Sequence, residues 1–409
     1  MGAVARHDAA MATLIEEARA LQENTVALRR SLHAHPELAL ELPWTQQRVA
    51  DELADLPMSV TSGAGCTSLI GVLEGDAPGP TVLLRGDMDA LPMPEDTGLP
   101  YASEVDGVMH ACGHDAHTAM LASAARLLCD RRKDLTGRVV FMFQPGEEGG
   151  FGAKVMLENG LFDVAGRPDA AFALHQSPSV PNGTITLKAG ATMASTNNFF
   201  FRVVGRGGHA SMPHQAVDPI PVACEIVTAM QSYVTRRVDV FDPAVVTVAK
   251  IRAGTTINVV PEDALLMGTI RTVSARTRAA VVDGVQKVAL GIAEAHGCTV
   301  EIEMTEGYPV TVNDDTMAGY MREVATDLLG VDHVRWMPAP VMGAEDFSYV
   351  LDEVPGAMAF LGTMPKEHSG FVAPNHSNRM VMDEDAMATG VAMYAAAALR
   401  FAASVNPDA

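Results

Sequence analysis

The sequence predicts an α/β chain: a doubly wound, largely parallel sheet domain interrupted by a small ferredoxin-like βαββαβ unit. Three observations predict it. Strand-like and helix-like runs alternate up to about Gly183. The order then becomes β-α-β-β-α-β, and the first pattern resumes after about Thr305. Finally, 409 residues exceed one ordinary core, so two domains are expected. The boundaries fall at 1–186 and 306–409 for the outer domain and 187–305 for the inserted one.

The elements follow in order. "MATLIEEARALQENTVALRRSLHAH" carries apolar residues at helical spacing. "TSLIGVLEG" and "TVLLRGDMDA" are β-rich. A helix over His117 to Asp130, the strand "RVVFMFQ", a helix near Ala153 to Glu158 and the strand "AFALH" complete the alternation. In the insert, "NNFFFRVVG" reads as a strand, and Asp-Pro opens a helix in "DPIPVACEIVTAMQSYVTRR". "AVVTVAKIRA" and "ALLMGTIRTV" are strands. "SARTRAAVVDGVQKVALGIAEAHG" is a helix with a Ser start and a Gly stop, and "CTVEIEM" is the last strand. The strand "GAMAFLG" and an Ala-rich helix end the chain.

Composition narrows the function. A formal net charge of −21 argues against nucleic acid, which needs a basic footprint, and against anionic membrane surfaces. Val391 to Leu399, the most apolar late stretch, is too short to span a bilayer, and the N-terminus shows no secretory pattern. Five widely spaced cysteines without a CxxC do not form a disulfide framework. A reducing, cytoplasmic compartment is expected. Cys66, Cys129, Cys224 and Cys298 read as small buried hydrophobes.

Cys112 does not. In "HACGHD" it stands two residues from His114, in a loop too polar for a core. Acidic and histidine residues also stand at the carboxyl ends of predicted strands, where doubly wound sheets bind ligands. These are Asp87 and Asp89, Glu147 and Glu148, and His175; His376 sits in the turn "APNHSN". Thiolate, imidazole and carboxylate are ligands for zinc and other borderline divalent metals. Cys112, His114, Glu148, His175 and His376 form one candidate set. The thiolate can bridge two ions, and Glu147 is then free to act as general base. A Cys112 nucleophile with a histidine base remains open. It leaves Glu-Glu and two distant histidines unexplained.

Other residues are less specific. Asp89 is expected to orient a ligand histidine. Asp87 and Asp89 can also be mere turn residues. His117, on the helix, is expected to be structural. His33 and His35, in "SLHAHPE", mark either a helix end or a site. Isolated His7, His296, His333 and His368 read as surface residues. In the insert, the Gly-rich turn "VGRGGHASMPH" presents His209, which can donate to an oxyanion. Asn258 and Arg271 offer polar groups, and an arginine can hold a carboxylate in bidentate fashion.

The stretches "LRRSLHAHPELALE", "LRGDMDALP", "MHACGHDAHTAM", "QPGEEGG", "ALH", "GRGGHASMPH", "INVVP", "GAEDFS" and "PNHS" run in order from about Leu28 to Ser377. In this the chain resembles the dinuclear-metal aminoacylase and carboxypeptidase superfamily. Its branch is that of hippurate hydrolase and indole-3-acetyl-amino-acid hydrolase. The resemblance implies that Cys112 bridges two metals, with His114 and Glu148 on one ion and His175 and His376 on the other. It implies Glu147 as general base, and His209 as the residue that reaches the partner subunit's site to stabilise the tetrahedral intermediate. Asn258 and Arg271 match positions that hold the substrate's carboxylate. The insert corresponds to a lid and dimerisation domain, so a homodimer is expected. The two divalent ions are zinc, manganese, cobalt or nickel in relatives. The implied reaction is hydrolysis of small N-acyl-amino acids by metal-activated water, giving a carboxylic acid and a free amino acid. A dipeptidase or carboxypeptidase on the same site, and a Cys112 thiol hydrolase, are the alternatives. Two positions depart from the family: Gln176, where an apolar residue is common, and Pro43, near which relatives carry a second acid.

Overall fold

The structure, a computed structural model, describes residues 13–63, 65–367 and 370–405. His7 and His368 lie outside the described residues. The chain folds as two compact units: residues up to 190, 312–339 and from 349 onward, and residues 191–311 with 340–348.

The first unit is built on an eight-stranded sheet. Its central four strands are Thr136–Gln144, Ala77–Asp87, Ala170–Ser177 and Gly356–Gly362, all parallel. Ser59–Ser62 and Leu69–Glu74 add an antiparallel edge. On the other side Ile185–Leu187 runs antiparallel to Gly356–Gly362 and parallel to Val334–Trp336. Strands covered on both faces read as continuous apolar runs rather than alternating ones. That is why "RVVFMFQ" and "AAFALH" are buried almost throughout. The strand expected from Thr81 starts at Ala77. Pro78 and Pro80 cannot donate to a ladder, and the register shifts between Ala77 and Thr81.

The expected N-terminal helix is two, residues 13–20 and Gln22–Ala34. Thr25 Oγ1 donates to the Leu21 carbonyl at the break, a back-bond that bends helices. Pro43–Leu53 is a helix that apolar periodicity does not announce. Pro43 occupies its first turn, where the missing N–H costs nothing, and the Glu37 carboxylate accepts the Trp44 and Thr45 N–H groups. The last helix, Met387–Val405, belongs to a span, Glu384–Ala403, long and apolar enough to cross a membrane. It is instead 78% buried in the protein, as core.

The second unit is an antiparallel sheet in the order Ala244–Ala253, Asp263–Thr272, Ser195–Val204, Thr299–Glu306. Helices Pro219–Arg237 and Ala275–Ala295 pack on it. Inward positions alternate along Ser195–Val204, as a sheet with one covered face requires. The helix starts are as read: Asp218 accepts the Ile220 N–H at 3.0 Å, and Ser274 that of Thr277 at 3.0 Å. The limits of this unit differ from 187–305. Ile185–Leu187 is tied into the first sheet, while Ala194 donates to the Val341 and Gly343 carbonyls, so 340–348 joins the second unit. Cys66, Cys129 and Cys298 are buried, but Cys224 is exposed on the outer side of Pro219–Arg237, correcting its reading as core.

Candidate metal centre

Parallel strands bring their carboxyl ends together, and the chemistry gathers there. Asp87 ends one central strand, in register with Gln144 at the end of its neighbour, and His175 stands near the end of a third. "HACGHD" was expected as loop, but His114 is the first residue of helix His114–Asp130. Gly113 precedes it at φ +87°, a left-handed conformation that glycine adopts without strain. The turn aims Cys112 and His114 into one place.

All five expected ligands meet. The donor atoms of Cys112, His114 and His175 lie within 4.8 Å of one another, as do those of Cys112, Glu148 and His376. His175 Nε2 is 3.4 Å from Cys112 Sγ, and His376 Nε2 is 3.1 Å from Glu148 Oε1. Cys112 is therefore common to two sets. The resemblance had paired His114 with Glu148 and His175 with His376. His114 and Glu148 do share a donor group, with Glu147; His376 also stands against Glu148, its turn tied by its own N–H to the Ala111 carbonyl at 2.8 Å, and His175 stands against Cys112.

The imidazoles are prepared for ligation. His175 Nδ1 donates to the Gln176 carbonyl at 2.7 Å and His114 Nδ1 to the Asp89 carbonyl at 2.8 Å. In the neutral imidazole each bond leaves Nε2 as the lone-pair nitrogen. Among the described residues His114 Nε2 is buried with no hydrogen-bond partner, Asp87 Oδ2 lying 3.4 Å away. A buried polar atom without a partner is costly, and a cation beside it removes that cost. One thiol, three imidazoles and a carboxylate fit divalent borderline metals.

The electrostatics agree. Burial pushes the Cys112 thiol up against the pull of His114 and His376. Hydrogen bonds to Cys112 and Glu148 raise His376 to about 10. Burial takes His175 well below the usual histidine range, helped by His117 and His114 and opposed by Asp87.

Glu147 is buried, with Oε2 3.9 Å from His114 Nε2. The Asp89 carboxylate accepts its N–H at 2.8 Å and that of Glu148 at 2.9 Å. Asp89 thus orients His114 through its main-chain carbonyl, while its carboxylate fixes the Glu-Glu turn. Its Oδ1 also stands 3.6 Å from His114 Nδ1, so the carboxylate faces the imidazole as well.

Asp87 is no turn residue. It is fully buried, with Oδ2 2.7 Å from Arg85 and Oδ1 2.6 Å from His117 Nδ1. His117 Nε2 accepts the Gln176 N–H at 2.8 Å, so both its nitrogens are occupied and its role is structural. A second buried network lies behind the helix start. Arg29 Nε donates to Asp115 Oδ2 at 2.8 Å, and Arg29 also meets Glu384 and Tyr101. His33 joins this network 2.8 Å from Asp115 Oδ2, whereas His35 stacks on Trp44 at 4.4 Å. Sequence reasoning missed Arg29, Arg85 and Asp115. The signal for Arg85 and Asp87 was their i, i+2 spacing on one strand face.

In the second unit, strand pairing of Gly208–His209 with Val259–Val260 places His209 and Asn258 in one cleft of about 750 Å³. His209 is exposed, its Nδ1 2.8 Å from Ser211 Oγ. Arg271, on Asp263–Thr272, does not line that cleft. It is half-buried, burial lowers its pKa, and no side-chain partner stands beside it among the described residues.

Residues 83–400 match the family model described as Peptidase family M20/M25/M40. Thermostable carboxypeptidase 1 of Saccharolobus solfataricus is 37% identical over 392 residues, covering 95% of this chain and 98% of the relative. N-acetylcysteine deacetylase of Bacillus subtilis is 36% identical over 378 residues, covering 92% and 96%. The crystal structure of the Bacillus subtilis YXEP protein, described as a dinuclear metal binding peptidase from the M20 family, superposes with a TM-score of 0.80. It is 33% identical, over 94% of this chain and 99% of that one.

Proposed function

The chain belongs to peptidase family M20/M25/M40, and from that premise we propose that it hydrolyses the amide bond of N-acyl-amino acids with the help of two divalent metal ions. The observation that carries the reading is Cys112 standing in two donor sets, with Glu147 beside both. His114 and His175 would hold one ion, Glu148 and His376 the other, and Cys112 both. When bound, the ions supply Lewis-acid polarisation of the acyl carbonyl and acidify water. Thiolate, imidazole and carboxylate together suit zinc, manganese, cobalt or nickel.

The rest falls to the protein's own groups. Glu147, fixed through its N–H by Asp89, takes a proton from the attacking water and delivers it to the leaving amine nitrogen. The C–N bond breaks, a C–O bond forms, and a carboxylic acid and an amino acid leave. His209 serves as oxyanion donor, and Asn258 and Arg271 as carboxylate binders. A homodimer through the inserted unit, with His209 of each copy serving the other copy's site, completes this reading. Five free thiols support a reducing, cytoplasmic setting.

A carboxypeptidase or dipeptidase on the same site is the second reading, favoured by the similarity to a thermostable carboxypeptidase. Free-amine release from N-acetyl, N-benzoyl and indole-acetyl amino acids, run beside unblocked dipeptides, separates the two. Release from acylated substrates is expected. Release confined to dipeptides would move the activity to the peptidase class.

A further inference from the structure

Gln176 is fully buried beside the candidate metal centre. Its side-chain amide makes three hydrogen bonds. Nε2 donates to the Cys112 carbonyl at 2.8 Å and to Asn375 Oδ1 at 2.7 Å, while Oε1 accepts from Thr363 Oγ1 at 2.7 Å. The Cys112 carbonyl can only accept, so the nitrogen must face it, and the amide orientation is fixed. The main chain adds two bonds: the Gln176 N–H to His117 Nε2, and the Gln176 carbonyl to His175 Nδ1.

These five bonds reach every segment that carries a ligand except the Glu147–Glu148 turn. Cys112 and His114 are held through the Cys112 carbonyl, His175 through its own ring, and His376 through Asn375. The His376 turn has particular need of a tie. His376 has φ +65°, a conformation that costs a non-glycine residue energy and persists only where surroundings enforce it. Packing on the other side is equally close. A Cβ on Gly113 would stand 2.5 Å from Gln176 Cγ, so the Cys112 loop can approach this side chain only as glycine. An apolar side chain of similar size would fill the space and leave the Cys112 carbonyl and Asn375 amide without these bonds.

We propose that Gln176 is a positioning residue that clamps the Cys112 loop, the His175 strand and the His376 turn together, so that their donor atoms are preorganised for divalent ions. This rests on the metal reading above. Partners behind metal ligands typically control about ten- to a hundredfold in affinity.

The test is zinc affinity of the folded, metal-stripped protein, by competition with a chromophoric chelator, for wild type, Gln176→Leu and Asn375→Ala. Thermal unfolding of the metal-free proteins is recorded alongside. We expect affinity to fall about ten- to a hundredfold in Gln176→Leu and several-fold in Asn375→Ala. A merely structural role would lower the metal-free unfolding midpoint and leave zinc affinity unchanged, and that result overturns the proposal. Should Gln176→Leu fail to fold, Asn375→Ala decides alone by the same criterion. If wild type itself binds no zinc, the metal reading fails and the clamp falls with it. Wild-type binding with unaltered variants sinks only the clamp.

Discussion

The Asp89 carboxylate accepts the main-chain N–H of Glu147 at 2.8 Å, and its second oxygen accepts that of Glu148 at 2.9 Å. One side chain therefore sets where the proposed base and a proposed ligand diverge. Asp89→Ala leaves two N–H donors without acceptors. Each such loss costs about 1–3 kcal/mol, so we expect a reduced unfolding free energy in urea for the metal-free chain, and reduced activity. An unchanged unfolding curve would show that the turn holds its shape unaided.

Glu147→Gln keeps size and shape and removes the base. We expect kcat to fall roughly a hundred- to ten-thousandfold, with bound metal per chain unchanged. Metal content by atomic emission and initial rates on an N-acyl-amino acid check this. Full activity with metal bound would remove Glu147 from the base role.

Arg29 is buried against Asp115 and Glu384. Removing one partner of a buried ion pair strands the other charge. Arg29→Met is therefore expected to cost about 3–5 kcal/mol in chemical unfolding. A loss below about 1 kcal/mol, the range of surface pairs, would contradict this.

Acid should weaken the fold in a defined window. Burial raises the Glu95 carboxyl, but His33, the Ser103 N–H and Thr97 outweigh it and bring it down to about 2. A folded pKa below the unfolded value gives stability that is present above the unfolded pKa and lost as pH falls through the folded one. The unfolded value is about 4.3, so this contribution fades between roughly pH 4.3 and 2. Urea midpoints of wild type and Glu95→Gln across that range should converge as pH falls. Parallel curves would contradict the assignment.

Much of this was legible in the sequence, for definite reasons. Strands such as Gly356–Gly362 and Ala244–Ala253 announce themselves through continuous or β-branched apolar runs, and Asp218 and Ser274 through capping chemistry. The five donors were visible because cysteine, histidine and paired carboxylates have little reason to crowd polar loops. What was not legible depends on contacts distant in sequence. Helix Pro43–Leu53 draws its N-terminal acceptors from Glu37. Arg29 and Asp115 meet across 86 residues, and Gln176 and Asn375 across 199.

The most direct test of the central claim is a titration of chelator-stripped protein with manganese or zinc, following amine release from an N-acyl-amino acid and counting bound ions. The account predicts no release without metal, and activity that rises to a plateau as about two ions bind per chain. Full activity in excess chelator, or ions bound with no gain in release from any acylated substrate, would contradict it.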